Sequence, residues 1–143
     1  MPRYLALDVG DRRIGLATGS TETGLARPLE TLVRSDDPRD ADIFRRLKQV
    51  IRAEQIEGLV VGDPLNMDGT AGLRSDISHD FAGRLRKAFR QIPVTLCDER
   101  LSSFAADEWM QRDGVKPSHK KQKRDAYAAA VILADFLRSQ EAE

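Results

Sequence analysis

At 143 residues with 41% hydrophobic content, the chain has the size of one globular domain with enough apolar residues to bury a core, so one domain over 1–139 is expected. The 23 Lys and Arg balance the 23 Asp and Glu, which excludes a polyanion binder working through overall charge; any nucleic-acid affinity must come from local patches. A lone cysteine, no apolar stretch near the roughly 18 residues of a membrane span, and no cleavable leader argue against disulfide scaffolds and membrane proteins, and point to the cytoplasm.

Three strand signals open the chain, at residues 3–9, 13–19 and 26–33, separated by the turn Gly10-Asp11-Arg12 and by Gly24. They read as an antiparallel start. Beyond Pro38 the period changes, because Ile43, Phe44, Leu47, Val50 and Ile51 repeat at helical spacing. Leu59-Val60-Val61-Gly62 is a short, continuously apolar strand of the kind covered on both faces. A Gly/Pro/Asn/Asp-rich connection follows, lacking the Gly-Lys-Ser/Thr of a phosphate-binding loop, and leads into a helix with Leu73, Ile77, Phe81, Leu85 and Phe89 on one stripe. His79 lies off that stripe and is expected simply to be exposed. After Pro93 come a strand at 94–98 and a helix carrying Leu101, Phe104, Ala105 and Trp109, with Trp109 and Met110 as exposed candidate interface anchors and core packing as the alternative for Trp109. A last helix starts near Ser118, and a disordered tail is expected over 140–143. Strands followed by β-α alternation call for an α/β fold, a mixed sheet with helices on both faces and sites at strand ends.

Carboxylates stand at those strand ends. Asp8 closes Tyr4-Leu5-Ala6-Leu7, and Asp98-Glu99 closes Val94-Thr95-Leu96-Cys97. Asp125 lies on the apolar stripe of the last helix, with Ala128, Ala129, Ile132, Leu133 and Phe136 at i+3, i+4, i+7, i+8 and i+11. An ionised carboxylate turned toward apolar packing is expensive without a partner, and hard divalent cations prefer such oxygens, so metal-assisted phosphoryl chemistry is the first hypothesis. Successive strand residues face opposite ways, so Asp98 and Glu99 cannot both serve. Lys116, Lys120, Lys121, Lys123 and Arg124 give five basic residues in nine just before Asp125, read as a phosphate-binding flank or a solvated face. Arg13 and Arg100 adjoin the acids and suit either phosphate clamping or neutralisation of the acids.

The segments LALDVGDRRIGLA (5–17), LARPL (25–29), VVGDPLNMDGT (60–70), DERLSS (98–103) and KRDAYAAAVIL (123–133) resemble, in order and spacing, the YqgF/RuvX family of the ribonuclease H-like superfamily. The resemblance spans nearly the whole chain. It implies a ribonuclease H-like five-stranded sheet with the first three strands antiparallel, and a Mg²⁺- or Mn²⁺-dependent nuclease using two ions. It places the family's acids on Asp8, Glu99 and Asp125. Its implied substrates are structured RNA, namely the 5′ end of pre-16S ribosomal RNA, or branched DNA in the form of Holliday junctions. A non-catalytic ribosome-assembly factor with vestigial acids is the minor alternative. A monomer or weak homodimer is expected for the RNA role, since only paired nicking demands two-fold symmetry. Two departures stand out. The chain has Asp63 where the family usually has Leu before Pro64, adding either a fourth metal ligand or a turn acid. It also reads Thr18-Gly19-Ser20-Thr21 where the family often has a Ser-Asp pair.

Overall fold

The computed structural model of the chain describes residues 2–66, 68–99 and 102–141. In chain order these form β1 (Arg3–Val9), β2 (Arg13–Ser20), β3 (Ala26–Val33), α1 (Ala41–Ala53), β4 (Gly58–Asp63), α2 (Leu73–Ala88), β5 (Val94–Asp98), α3 (Ser102–Arg112) and α4 (Pro117–Glu141). The strands make one five-stranded sheet in the order β3-β2-β1-β4-β5. The β1–β2 and β2–β3 pairs are antiparallel, whereas β1–β4 and β4–β5 are parallel. The sequence expectation of a mixed sheet with an antiparallel start is met. Pro117 occupies the first position of α4, where its missing N–H breaks no helical bond. The helix continues through Glu141, two residues into the segment expected to be a disordered tail.

Strand alternation sorts the side chains into two layers. Leu5, Leu7 and Val9 of β1 and Leu59 and Val61 of β4 pack with α1 and α2 in the larger core cluster. Ala6 and Val60 point the other way, onto Ile132, Leu133 and Phe136 of α4. α4 lies close to the sheet because glycines floor it. A Cβ at Gly62 would meet the Ile132 side chain at 2.5 Å, and one at Gly15 would overlap the backbone carbonyl of Asp125.

Met110, expected as an exposed interface anchor, is fully buried with Ala106, Tyr127 and Ala128, and Trp109 packs partly buried against the same cluster. The apolar face of α3 is thus used against α4. No helix among the described residues is long and apolar enough to cross a membrane.

Candidate active site at the ends of the parallel strands

Asp8 pairs across β1–β2 with Gly15, and the α4 backbone at Asp125 rests on that same glycine. Two sequence-distant acids are therefore brought together by one close approach. Asp8 follows Leu7, which faces α1 and α2, so its side chain is directed to the α4 side. The carboxylate is half-buried and accepts no hydrogen bond from the described residues. Burial pushes its pKa up to about 6; Arg74 pulls the other way, and the Asp125 charge adds to the rise. Asp125 is itself held by Arg13, whose Nε donates to Oδ2 at 2.8 Å.

Glu99 is buried, and its backbone N–H donates to the Asp63 carbonyl at 2.9 Å, extending the β4–β5 ladder past Asp98. Cys97 packs against the α4-side cluster, so Glu99, two residues on, shares the face of Asp8 and Asp125. It opens, however, onto a separate cleft of about 500 Å³ with Trp109, Val131 and Asp135. The clustered acids around Cys97, together with its burial, push that thiol up to about 11, with burial the larger cause. Among the described residues no three His, Cys, Asp or Glu side chains are close enough to hold one metal ion. Asp8 and Asp125 are the adjacent pair; Glu99 stands apart on the same face.

Asp63 goes elsewhere. It follows Gly62, whose missing Cβ points at α4, and so turns to the α2 side. There Ser75 Oγ donates to Oδ1 at 2.6 Å, and His79 Nε2 lies 2.9 Å from Oδ2. Both oxygens are engaged in tying the end of β4 to α2, on the face opposite Asp8. His79, expected to be merely exposed, has Asp63 as a partner. The resembling motif carries Leu at this position and so gave no signal of this pairing.

The basic flank divides by helical position. Lys121 precedes Asp125 by four residues and shares its face, whereas Arg124 is turned to α3 and pairs with Asp107 at 3.1 Å. Lys123 borders a cleft between β3 and α4 with Pro28, Thr31 and Tyr127. Lys116 is exposed ahead of α4, and Lys120 is half-buried on its first turn. Arg100 lies outside the described residues. Two cations near the acids escaped sequence reasoning, Arg12 and Arg74, which share a cleft with Arg13 and Asp125. A signal for Arg74 existed: a cation in the first turn of a helix opposes the helix dipole and calls for a reason.

The profile of the family described as "RuvX: Holliday junction resolvase" matches residues 2–139. The chain belongs to the RuvX family. This RuvX-family chain is 42% identical over 143 residues to a Synechococcus elongatus protein named "Putative pre-16S rRNA nuclease", covering 98% of the chain and 93% of that relative. It is 40% identical over 138 residues to a Roseiflexus protein of the same name, covering 96% and 95%. Among solved structures, the RuvX-family chain resembles T. thermophilus RuvC in complex with Holliday junction substrate, with a TM-score of 0.61 at 20% identity over 99% of this chain and 96% of that one. It also resembles the Fowlpox virus resolvase bound to Holliday junction DNA, with a TM-score of 0.58 at 9% identity over 96% and 98%. At such identities the likeness is one of fold, the ribonuclease H-like mixed sheet. Membership in the family supports a hydrolase acting on nucleic acid.

Proposed function

We propose that the chain is a Mg²⁺- or Mn²⁺-dependent nuclease that hydrolyses phosphodiester bonds and processes the 5′ end of pre-16S ribosomal RNA in the cytoplasm. The observation that carries the reading is the meeting of Asp8 and Asp125 across Gly15, where two carboxylates are neighbours and one is raised by burial. Such a pair of hard oxygen donors fits a divalent cation, with Glu99 on the same face as a further donor. When bound, the cation supplies an activated water at neutral pH and neutralises charge on the attacking and leaving oxygens; two ions are the expected complement.

The chain's own residues do the positioning. Asp8 is mounted on the central strand, the most rigid element available, with β2 and β4 pairing on either side. Arg13 fixes the Asp125 rotamer through its 2.8 Å bond and presents cationic charge at the cleft. Lys121, one helical turn before Asp125, extends that charge along the path of a polynucleotide backbone.

The relatives near 40% identity favour ribosomal RNA as substrate, and their name is the reason for that choice. The family description and the junction-bound RuvC of similar fold keep four-way DNA as the rival. Purified protein with Mg²⁺ or Mn²⁺, given pre-16S RNA and a synthetic four-way junction side by side, separates them. Cleavage of the RNA at a defined 5′ position by a monomer or weak dimer is expected. Symmetric paired nicks in the junction, with a tight dimer by light scattering, would replace the RNA reading, and no cleavage of either would leave the RNA-binding assembly factor.

A further inference from the structure

A cleft of about 330 Å³ lies against Asp125 of the acid pair, formed by Gly10, Asp11, Arg12 and Arg13 of the β1–β2 turn, Arg74 of α2 and Asp125 of α4. Three guanidiniums against two carboxylates leave it cationic. Arg13 is committed to Asp125, but the Arg12 and Arg74 side chains are exposed and make no hydrogen bond or ion pair with the described residues. Arg74 also sits where local physics disfavours it. It is in the first turn of α2, at the positive end of the helix dipole, behind an N-cap, Gly72, that offers no side-chain acceptor. Asp76 in the same turn offsets part of the dipole, but the first-turn N–H groups and the Arg74 guanidinium still add positive potential at the helix start, which an anion in the cleft would relieve. Arg74 lines the cleft together with Asp125, and its charge is also felt at Asp8.

We propose that Arg74 and Arg12 form the subsite for the phosphodiester that is cut, donating to its non-bridging oxygens, with Arg74 as a catalytic residue. This rests on the nuclease reading above and adds the groups that hold the scissile phosphate. A guanidinium presents two parallel N–H donors that match two phosphate oxygens, and the cleft is of a size for one backbone phosphate with its sugar. In the step served, a water oxygen bonds to phosphorus and the bond from phosphorus to the leaving oxygen breaks. The water gives up a proton to solvent and the leaving oxygen takes one up. Arg74 stays protonated throughout and stabilises the charge that builds on the non-bridging oxygens.

The test uses Arg74→Ala, Arg74→Lys and, as a control on the far end of the same helix, Lys87→Ala, each in the full chain with folding checked by circular dichroism. With Mg²⁺ and pre-16S RNA, Arg74→Ala should lower kcat about a hundredfold and raise KM as well, since the lost guanidinium also holds a phosphate in the ground state. Arg74→Lys should recover roughly tenfold of that, since it restores charge but not the fork. In an Asp8→Asn background, binding of a single-stranded RNA oligonucleotide should lose about one unit of log-log salt slope when Arg74 becomes Ala. Unchanged kcat and salt slope for Arg74→Ala, or an equal loss for Lys87→Ala, would overturn the assignment. If Asp8→Asn is inert while Arg74→Ala keeps full rate, only the Arg74 subsite falls; if Asp8→Asn cleaves like wild type, the acid-site reading falls with it.

Discussion

Asp40 and Asp8 are both aspartates withdrawn from water, and the protein treats them in opposite ways. Asp40 caps α1 with a left-handed backbone (φ 52°) and is only 3% exposed. Burial by itself would raise its pKa, but the hydrogen bonds and charges of Arg34 and Arg84 outweigh that and hold the carboxyl below its ordinary range. Arg34 and Arg84 approach Oδ2 at 2.8 and 2.9 Å, and both lie over the Phe81 ring. Asp8 has no such bonds among the described residues; the charges it feels are those of Arg74, which makes no hydrogen bond to it, and of Asp125, which repels it. A compensated buried acid joins elements together, whereas an uncompensated one stores electrostatic strain that a ligand can release. The two regions are coupled, because Arg34 also donates to the Gly10 carbonyl at 2.8 Å and so braces the turn beside Asp8.

The sharpest break of the comparison is in activity. Asp8→Asn and Asp125→Asn should each lower Mg²⁺-dependent cleavage roughly a thousandfold or more while far-ultraviolet circular dichroism stays unchanged. Single-turnover rates equal to wild type for both would remove the site from the β1 end. Next in size is the structural acid. Asp40→Ala strands Arg34 and Arg84 and forces alanine into a left-handed backbone, so urea unfolding should show a loss of about 3–5 kcal/mol. Asp40→Asn, which tolerates that backbone, should lose less. A change under about 1 kcal/mol for Asp40→Ala would show the ion pairs to be decorative.

Metal-free stability should respond oppositely at the two acids. The folded pKa of Asp8, about 6, lies above its ordinary value of 3.8, so ionisation weakens the fold. Its contribution is most favourable below pH 3.8 and is lost as pH rises through 6. Asp8→Asn should therefore stabilise the apo protein at pH 8 by of order 2 kcal/mol, with the two urea curves converging near pH 4. For Asp40, whose folded pKa is lowered, the contribution is present above its unfolded value and lost as pH falls through the folded one. An Asp8→Asn protein no more stable than wild type at pH 8 contradicts the strain. The smallest effect concerns the flank. Lys120, Lys121 and Lys123 changed together to Ala should flatten the salt dependence of RNA binding by about one unit of log-log slope per lost phosphate contact. A slope that does not move returns these lysines to the solvated surface.

Periodicity and punctuation were enough to order the elements, because apolar spacing of 2 or 3.6 is written locally, and the continuous run at Leu59-Val60-Val61 could belong only to a strand covered on both faces. The same local logic marked Asp8 and Asp125 as acids in the wrong surroundings and showed that Asp98 and Glu99 cannot share a face, while the choice of Glu99 came from the family resemblance. Other features depend on contacts between segments far apart in the chain, and no local pattern encodes those. The pairing of Asp63 with Ser75 and His79 needs α2 to cross the end of β4. The burial of Met110 needs α4 to cover α3. Gly15, unremarkable as a strand residue, is the seat on which Asp125 meets Asp8, and Arg74 reaches the same place only because α2 begins there. Which residues are acidic, basic or apolar, and on which face of its own element each lies, was thus decided by the sequence. Which of them share a site was decided by tertiary packing, since side-chain direction follows from backbone geometry within an element but proximity between elements follows only from how the layers dock.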